Sequence, residues 1–247
     1  MNDMRRVADA RVSRGALLKG VGAGMAGVTL AQAGLFRALA AESESVQRIL
    51  DITTTVERFG VTFLGAGIES AEQGNFNKRM PPTVLNIVKA ARAQEHFHLE
   101  FFERAGGRAL VSTFTIPPAA LTDYNTFFAA IVDQETAEVA AQLAAIHTYA
   151  TLKRPDLVKI SFQYAAEEAE HRVLANNALG VRPANNLAFA PVMFSTVGEI
   201  LTLMKRRGLI GGPGKAVAFP GPGPIDARNV INRTPTGPAV ACAPMGK

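Results

Sequence analysis

Residues 164–174 read Tyr-Ala-Ala-Glu-Glu-Ala-Glu-His-Arg-Val-Leu. Within them Glu168 and His171 stand three positions apart. On a helix both side chains therefore rise from one face, one turn apart. Tyr164, Ala165, Ala166, Val173 and Leu174 make the surroundings apolar and direct that face toward a core. A carboxylate and an imidazole removed from water cost free energy unless something pairs with them. Glu170 points about 160° away from Glu168 and drops out of the pair. The fold turns on whether the rest of the chain brings partners to the same height.

Working outward, Pro155 opens the helix that carries this pair and Gly180 closes it, the usual asymmetry of helix ends. The preceding helix spans about 123–152 and is rich in alanine (Ala129, Ala130, Ala137, Ala140, Ala141, Ala144, Ala145), with Lys153-Arg154 suiting its negative C-terminal end. Toward the N-terminus, Val46, Ile49, Leu50, Val56, Phe59, Phe63 and Leu64 recur at helical period over 43–73. A loop with Gly74, Asn75 and Pro81-Pro82 follows, then a helix over about 82–105 closed by Gly106-Gly107. Residues 108–120, with Pro117-Pro118, read as a crossover between two hairpins, 43–105 and 123–179. Four long helices with short loops inside each pair predict an all-α, antiparallel four-helix bundle over 41–180. A loop and a short fifth helix occupy 181–210, with Thr196-x-x-Glu199 as a capping box before about 196–207. Residues 211–247 form a Gly/Pro-rich tail; Phe219-Pro220-Gly221-Pro222-Gly223-Pro224 excludes regular structure there. Docking of this tail on the bundle and a loose tail both remain open.

The second helix repeats the opening motif. Glu95 and His98 have the same spacing as Glu168 and His171, and each member is offset from its counterpart by the same 73 residues. Residues equidistant from a hairpin turn lie at one height. Glu57 falls within three residues of the level of Glu95, about 4.5 Å at ~1.5 Å per residue. Glu69 misses it by about 14 Å on the same rise. In the second hairpin Glu135 and Glu138 both reach the level of Glu168. Glu135 mirrors Glu57 and is taken as the ligand; Glu138 is an extra or alternative one. The candidate metal-binding set is therefore Glu57, Glu95, His98, Glu135, Glu168 and His171. Any one glutamate alone would read as a surface residue, and either histidine alone as structural; the joint pattern makes the site. Four carboxylates neutralise two divalent ions and can bridge them, while two imidazoles complete the coordination and leave positions for water or dioxygen. Without metal the buried carboxylates would repel one another or take up protons. His96, about 100° around the helix from Glu95, lies outside this set. His147 is about 120° off the face of Glu135 and reads as structural. Tyr164, one turn before Glu168, reads as a core tyrosine, with a hydrogen-bond donor or radical sink as the alternative.

One glutamate from each of two helices plus Glu-x-x-His from each of the other two is the ligand arrangement of dinuclear carboxylate bundles. On these residues the chain resembles the ferritin-like superfamily over about 43–180, including bacterioferritin and rubrerythrin. Glu135-x-x-Glu138 is similar to the third helix of rubrerythrin. The fifth helix, Gly208-Leu209-Ile210-Gly211-Gly212 and Ala216-Val217-Ala218-Phe219-Pro220 resemble the C-terminal part of its exported, desiccation-related branch. The resemblance implies two iron ions as cofactor, manganese being the near alternative, and dioxygen or peroxide as the reacting partner. Ferroxidase or peroxidase-like oxidation is the expected chemistry. A manganese catalase-like enzyme and a non-catalytic stress protein using the bundle as scaffold are the rivals.

The chain has a single cysteine, Cys242, so neither an internal disulfide nor a thiolate metal cluster can form. Its net charge of +5 belongs to the N-terminus: residues 1–40 hold six Lys/Arg and two acids, leaving 20 basic and 19 acidic residues in 41–247. A nearly neutral body argues against nucleic acid. Residues 1–40 read as an export signal, with a basic start, a Gly/Ala-rich run from 16 to 35 and Ala38-Leu39-Ala40 as the cleavage site. Arg14-Gly15-Ala16-Leu17-Leu18-Lys19 resembles the twin-arginine signal with Gly15 in place of the second arginine. A periplasmic or otherwise exported protein is expected, without a stable membrane anchor once the signal is cleaved. Gly22-x-Gly24-x-x-Gly27 matches a dinucleotide fingerprint but lacks the preceding strand and is rejected. The sequence leaves the assembly state open, a homo-oligomer included.

Overall fold

A computed structural model describes residues 44–233. The expected export signal and Cys242 lie outside these residues. The described chain is mostly helical, with one two-stranded sheet. In order it forms α1 (Val46–Glu72), α2 (Pro82–Arg104), β1 (Thr113–Ile116), α3 (Ala119–Thr122), α4 (Tyr124–Thr151), α5 (Pro155–Leu179), α6 (Glu199–Arg206) and β2 (Lys215–Ala218). None of the described helices is long and apolar enough to cross a membrane.

α1 begins where the Ser45 hydroxyl accepts the Arg48 N–H at 3.1 Å, an N-cap. It then stays buried from Ile49 to Gly67, save the half-buried Asp51 and Arg58. A helix covered on nearly every side must have neighbours all round. It has them in α2, α4, α3 and β1. α1 pairs with α2 and α4 with α5, and the two hairpins meet where α1 touches α4 and α2 touches α5. Asp123 caps α4 by accepting the Thr126 N–H at 2.7 Å, and Pro155 opens α5. Gly180, at φ 81°, ends α5 in the left-handed conformation that glycine adopts without strain.

Three features differ from the sequence expectation. The crossover is not a plain connection: it holds β1 and the short α3. The tail is not wholly irregular either. Its residues 215–218 pair antiparallel with β1, Thr113 opposite Ala218 and Ile116 opposite Lys215. Phe114, Ile116 and Val217 are buried, so this small sheet closes one side of the core. Beyond it the tail is held by Arg92, which donates to the carbonyls of Val61 (3.1 Å), Pro220 (2.8 Å) and Pro224 (3.3 Å). The open question about the tail is thereby settled in favour of docking as far as Pro224. Lastly, α6 starts at Glu199 rather than 196. Glu199 reaches back to the Ser195 and Thr196 N–H groups, but Glu44 takes the Val197 and Gly198 N–H groups at 2.6 and 2.8 Å. A carboxylate from the far end of the described chain thus caps α6 where the Thr196 half of the box was expected.

Candidate metal centre

The four long helices carry their chemistry at one level. Two groups of side chains each present ligand atoms that all lie within 4.8 Å of one another: Glu57, Glu95, His98 and Glu168, and Glu95, Glu135, Glu168 and His171. All six residues of the expected set are therefore brought together. Each group takes three side chains from one hairpin and one glutamate from the other. Glu95 and Glu168 belong to both. Atoms about 2.0–2.2 Å from a common metal ion stand about 3 Å apart at right angles and about 4.2 Å apart when opposite. The cluster has the size to hold a metal ion.

The histidines aim one nitrogen each at the carboxylates. His171 Nδ1 lies 2.9 Å from Glu168 Oε2, 3.3 Å from Glu95 Oε1 and 3.7 Å from Glu135 Oε1. Its other nitrogen, Nε2, is 3.3 Å from Gln94 Oε1, which fixes the ring. His98 Nδ1 lies 3.1 Å from Glu168 Oε1 and 3.6 Å from Glu57 Oε2, yet makes a hydrogen bond to neither. Both oxygens of Glu57, Glu95 Oε2, Glu135 Oε2 and Glu168 Oε1 are likewise buried without a hydrogen-bond partner. Unpaired buried oxygens are costly in a folded protein. Lone pairs converging on a common space, rather than on donors, are what a cation needs, so the donor set fits a divalent ion.

Electrostatics say the same. Burial, together with the charge of Glu95, pushes the Glu57 carboxyl well above its ordinary range. Burial and Glu168 do so for Glu135, burial and Glu95 for Glu138, and burial and Glu168 raise Glu95. Burial also opposes ionisation of Glu168, but His171 and His98 outweigh it and hold this carboxylate below the usual range. Burial disfavours the imidazolium forms, yet Glu168 raises His171 to about 10, and Glu168 with Glu57 raises His98. In metal-free protein these shifts favour the neutral form at the surrounding glutamates and the ionised form at Glu168.

Glycine makes the approach possible. At Gly60, one turn after Glu57, a Cβ would lie 2.4 Å from Glu95 Oε2. Glu138, the extra candidate, is buried beside the cluster with both oxygens engaged: Gln134 Nε2 donates to Oε1 at 3.1 Å and the Tyr164 hydroxyl to Oε2 at 2.6 Å. Tyr164 is buried as expected, and its hydrogen bond and edge contact with the His98 ring tie it to the site as well. His96 is half-buried and 3.8 Å from Glu100, away from the cluster, and Glu170 is exposed. His147 is exposed on α4 rather than structural. Sequence reasoning passed over Gln94 and Glu167, which are hydrogen-bonded to each other next to His171. They too are 73 residues apart, so the repeat itself carried the signal.

Comparison with protein-family models, curated proteins and solved structures gives no match to this chain.

Proposed function

We propose that Glu57, Glu95, His98, Glu135, Glu168 and His171 hold two divalent metal ions, iron above all, in a ferritin-like four-helix bundle. The exported protein would use this centre to react with dioxygen or peroxide. The observation that supports this reading most is the set of unpaired buried carboxylate oxygens facing one another from four helices. When bound, the ions would supply electrons and Lewis acidity to the oxygen species.

The chain's own residues divide the remaining tasks. Glu95 and Glu168, common to both groups, would help hold both ions, together with Glu57 and His98 in one group and Glu135 and His171 in the other. Gln94 accepts from His171 Nε2 and donates to Glu167, which keeps Nδ1 turned toward the carboxylates. Tyr164 and Gln134 both donate to Glu138 and fix it beside the pair. Five of the six candidate ligands are almost fully buried, while the His98 side chain is 19% exposed. Small molecules would therefore reach the centre from the His98 side.

Elemental analysis of protein purified without chelator tests the reading. Two equivalents of iron or manganese per chain are expected, falling below one on Glu168→Ala. Fewer than one equivalent in the unaltered protein, unchanged by Glu168→Ala, would sink it. Consumption of oxygen or peroxide by the loaded protein then separates an enzyme from a scaffold that merely retains metal.

A further inference from the structure

A cavity of about 270 Å³ opens beside the cluster, between α2, α5 and residues 230–233 of the tail. His98, a member of the cluster, and Tyr164, hydrogen-bonded to Glu138, are among its lining residues. It is far larger than dioxygen or peroxide requires: a cavity of about 150 Å³ already accommodates benzene. Its walls are mixed: Phe97, Phe101, Phe102 and Ile160, with Val230 and Ile231 on the tail side, are apolar, while Gln94, Gln163, Glu167 and Asn232 are polar. Two guanidinium groups, Arg104 and Arg233, join the lining. Arg104 lies six residues beyond His98 on the same helix, about 9 Å farther along the axis at ~1.5 Å per residue. Its pair with Glu100 is long, 3.4 Å, and its side chain is 63% exposed, so the charge is weakly committed.

We propose that this cavity binds a small organic acid with an aromatic or aliphatic body, carboxylate at Arg104 and apolar end toward His98 and Tyr164. Three observations select that chemistry. The volume admits an organic ligand, the rings and isoleucine side chains favour an apolar body, and Arg104, about 9 Å along the α2 axis from His98 at ~1.5 Å per residue, offers a cation to the polar head. The pocket is built by residues outside the proposed ligand set except His98, so its existence does not depend on metal. The proposed function is needed only for placing the apolar end beside a metal ion.

The test uses the full chain and 3-phenylpropionate, with 3-phenylpropan-1-ol as the uncharged control, read by calorimetry and ligand-detected NMR. Saturable binding of the acid to chelator-treated protein is expected, tighter than binding of the alcohol. Gln163→Trp, which fills the cavity from α5, should weaken the acid at least tenfold; Ile160→Trp replaces it if the first variant melts early. Arg104→Gln should weaken the acid about two- to fivefold, the scale of an exposed charge pair, and leave the alcohol unchanged. In manganese(II)-loaded protein the phenyl protons should broaden more than those next to the carboxylate. Absent binding, equal affinity for acid and alcohol, or a folded tryptophan variant that binds as before would each overturn the proposal. Reversed broadening would overturn the assigned orientation. Failure to take up manganese while the acid still binds and the tryptophan still blocks it counts against the metal centre alone and supports the cavity.

Discussion

The charge state of the metal-free cluster makes a prediction that separates its four central carboxylates. Replace Glu57, Glu135, Glu138 or Glu168 one at a time by glutamine, which keeps the shape and removes the ionisable group. Glu57, Glu135 and Glu138 are held in the protonated form by burial and by neighbouring carboxylates. A group whose folded pKa is raised contributes stability that is fully present below its unfolded value and lost as pH rises through the folded one. At pH 7 the unfolded chain ionises these groups and the fold favours their neutral form, so they offer little to lose; their glutamine variants, which need no proton on folding, should be as stable as the parent or up to about 1 kcal/mol more stable. Glu168 has the opposite sign. Its folded pKa is depressed, so its contribution is present above the unfolded value near 4.5 and is lost only in acid. At pH 7 it holds two imidazoliums, with Nδ1 atoms 2.9 and 3.1 Å away. At pH 7 the interval up to the raised His171 value of about 10 corresponds to roughly 4 kcal/mol at ~1.36 kcal/mol per pH unit. Glu95 supplies part of that, so Glu168→Gln should cost about 3 kcal/mol, in line with the ~3–5 kcal/mol lost when a buried pair loses one member. Urea unfolding of chelator-treated protein at pH 7 measures the four differences. Elemental analysis of the same variants should show Glu57→Gln, Glu135→Gln and Glu168→Gln all losing metal, with Glu168→Gln losing most because it belongs to both groups. Equal stabilities across the four variants, or a Glu168→Gln protein as stable as the parent, would refute the proton assignment.

Metal binding should release protons at pH 7 and tighten as pH rises from 6 to 8, because imidazoliums and raised carboxyls must give theirs up; calorimetry in two buffers of different ionisation enthalpy counts the protons, and a buffer-independent heat would contradict it. Gly60→Ala should abolish metal uptake and destabilise by about 1–3 kcal/mol, since the new methyl meets Glu95 at 2.4 Å. Gly74→Ala, in open space at φ 72°, should cost about 1 kcal/mol and leave metal content intact, as a melt with elemental analysis can check. Arg92→Met should free the carbonyls of Pro220 and Pro224, cost about 2–4 kcal/mol, and expose residues 219–226 to limited proteolysis, read by mass spectrometry.

The repeat explains why so much of the centre was legible. Helical period placed α1, α2, α4 and α5 within a few residues, and the common offset of 73 selected Glu95, His98, Glu168 and His171 out of the chain's acids and histidines. Turn heights were enough to add Glu57 and Glu135 because each hairpin loop is short. Gln94 and Glu167 obey the same offset but were missed, since the pattern sought was of carboxylates and imidazoles and Glu167 has an acidic neighbour at each of positions 168 and 170 to hide it. The β1–β2 pair could not be read from local pattern: its two four-residue strands lie about a hundred positions apart, and each is too short for alternation to declare itself. Arg92 binds only backbone carbonyls, which carry no side-chain signature. His147 failed for a simpler reason. Angular position on a helix says which way a residue faces, but not whether anything packs against that face.

The exchange of Glu95 and Glu168 between the two groups has a consequence for how such a molecule could arise and assemble. Each hairpin carries three of the six candidate ligands and lends one of them to the other half. The hydrogen bond between Gln94 and Glu167 joins positions that correspond in the 73-residue repeat. A single hairpin with this motif, meeting a second copy of itself, would have generated the whole cluster at once. Duplication and fusion would then have freed the halves to diverge: the first kept His98 beside an open cavity, the second sealed His171 inside. In the present chain neither half is a site alone, and a cation at the centre would act as a clasp that closes only when both halves have folded and met.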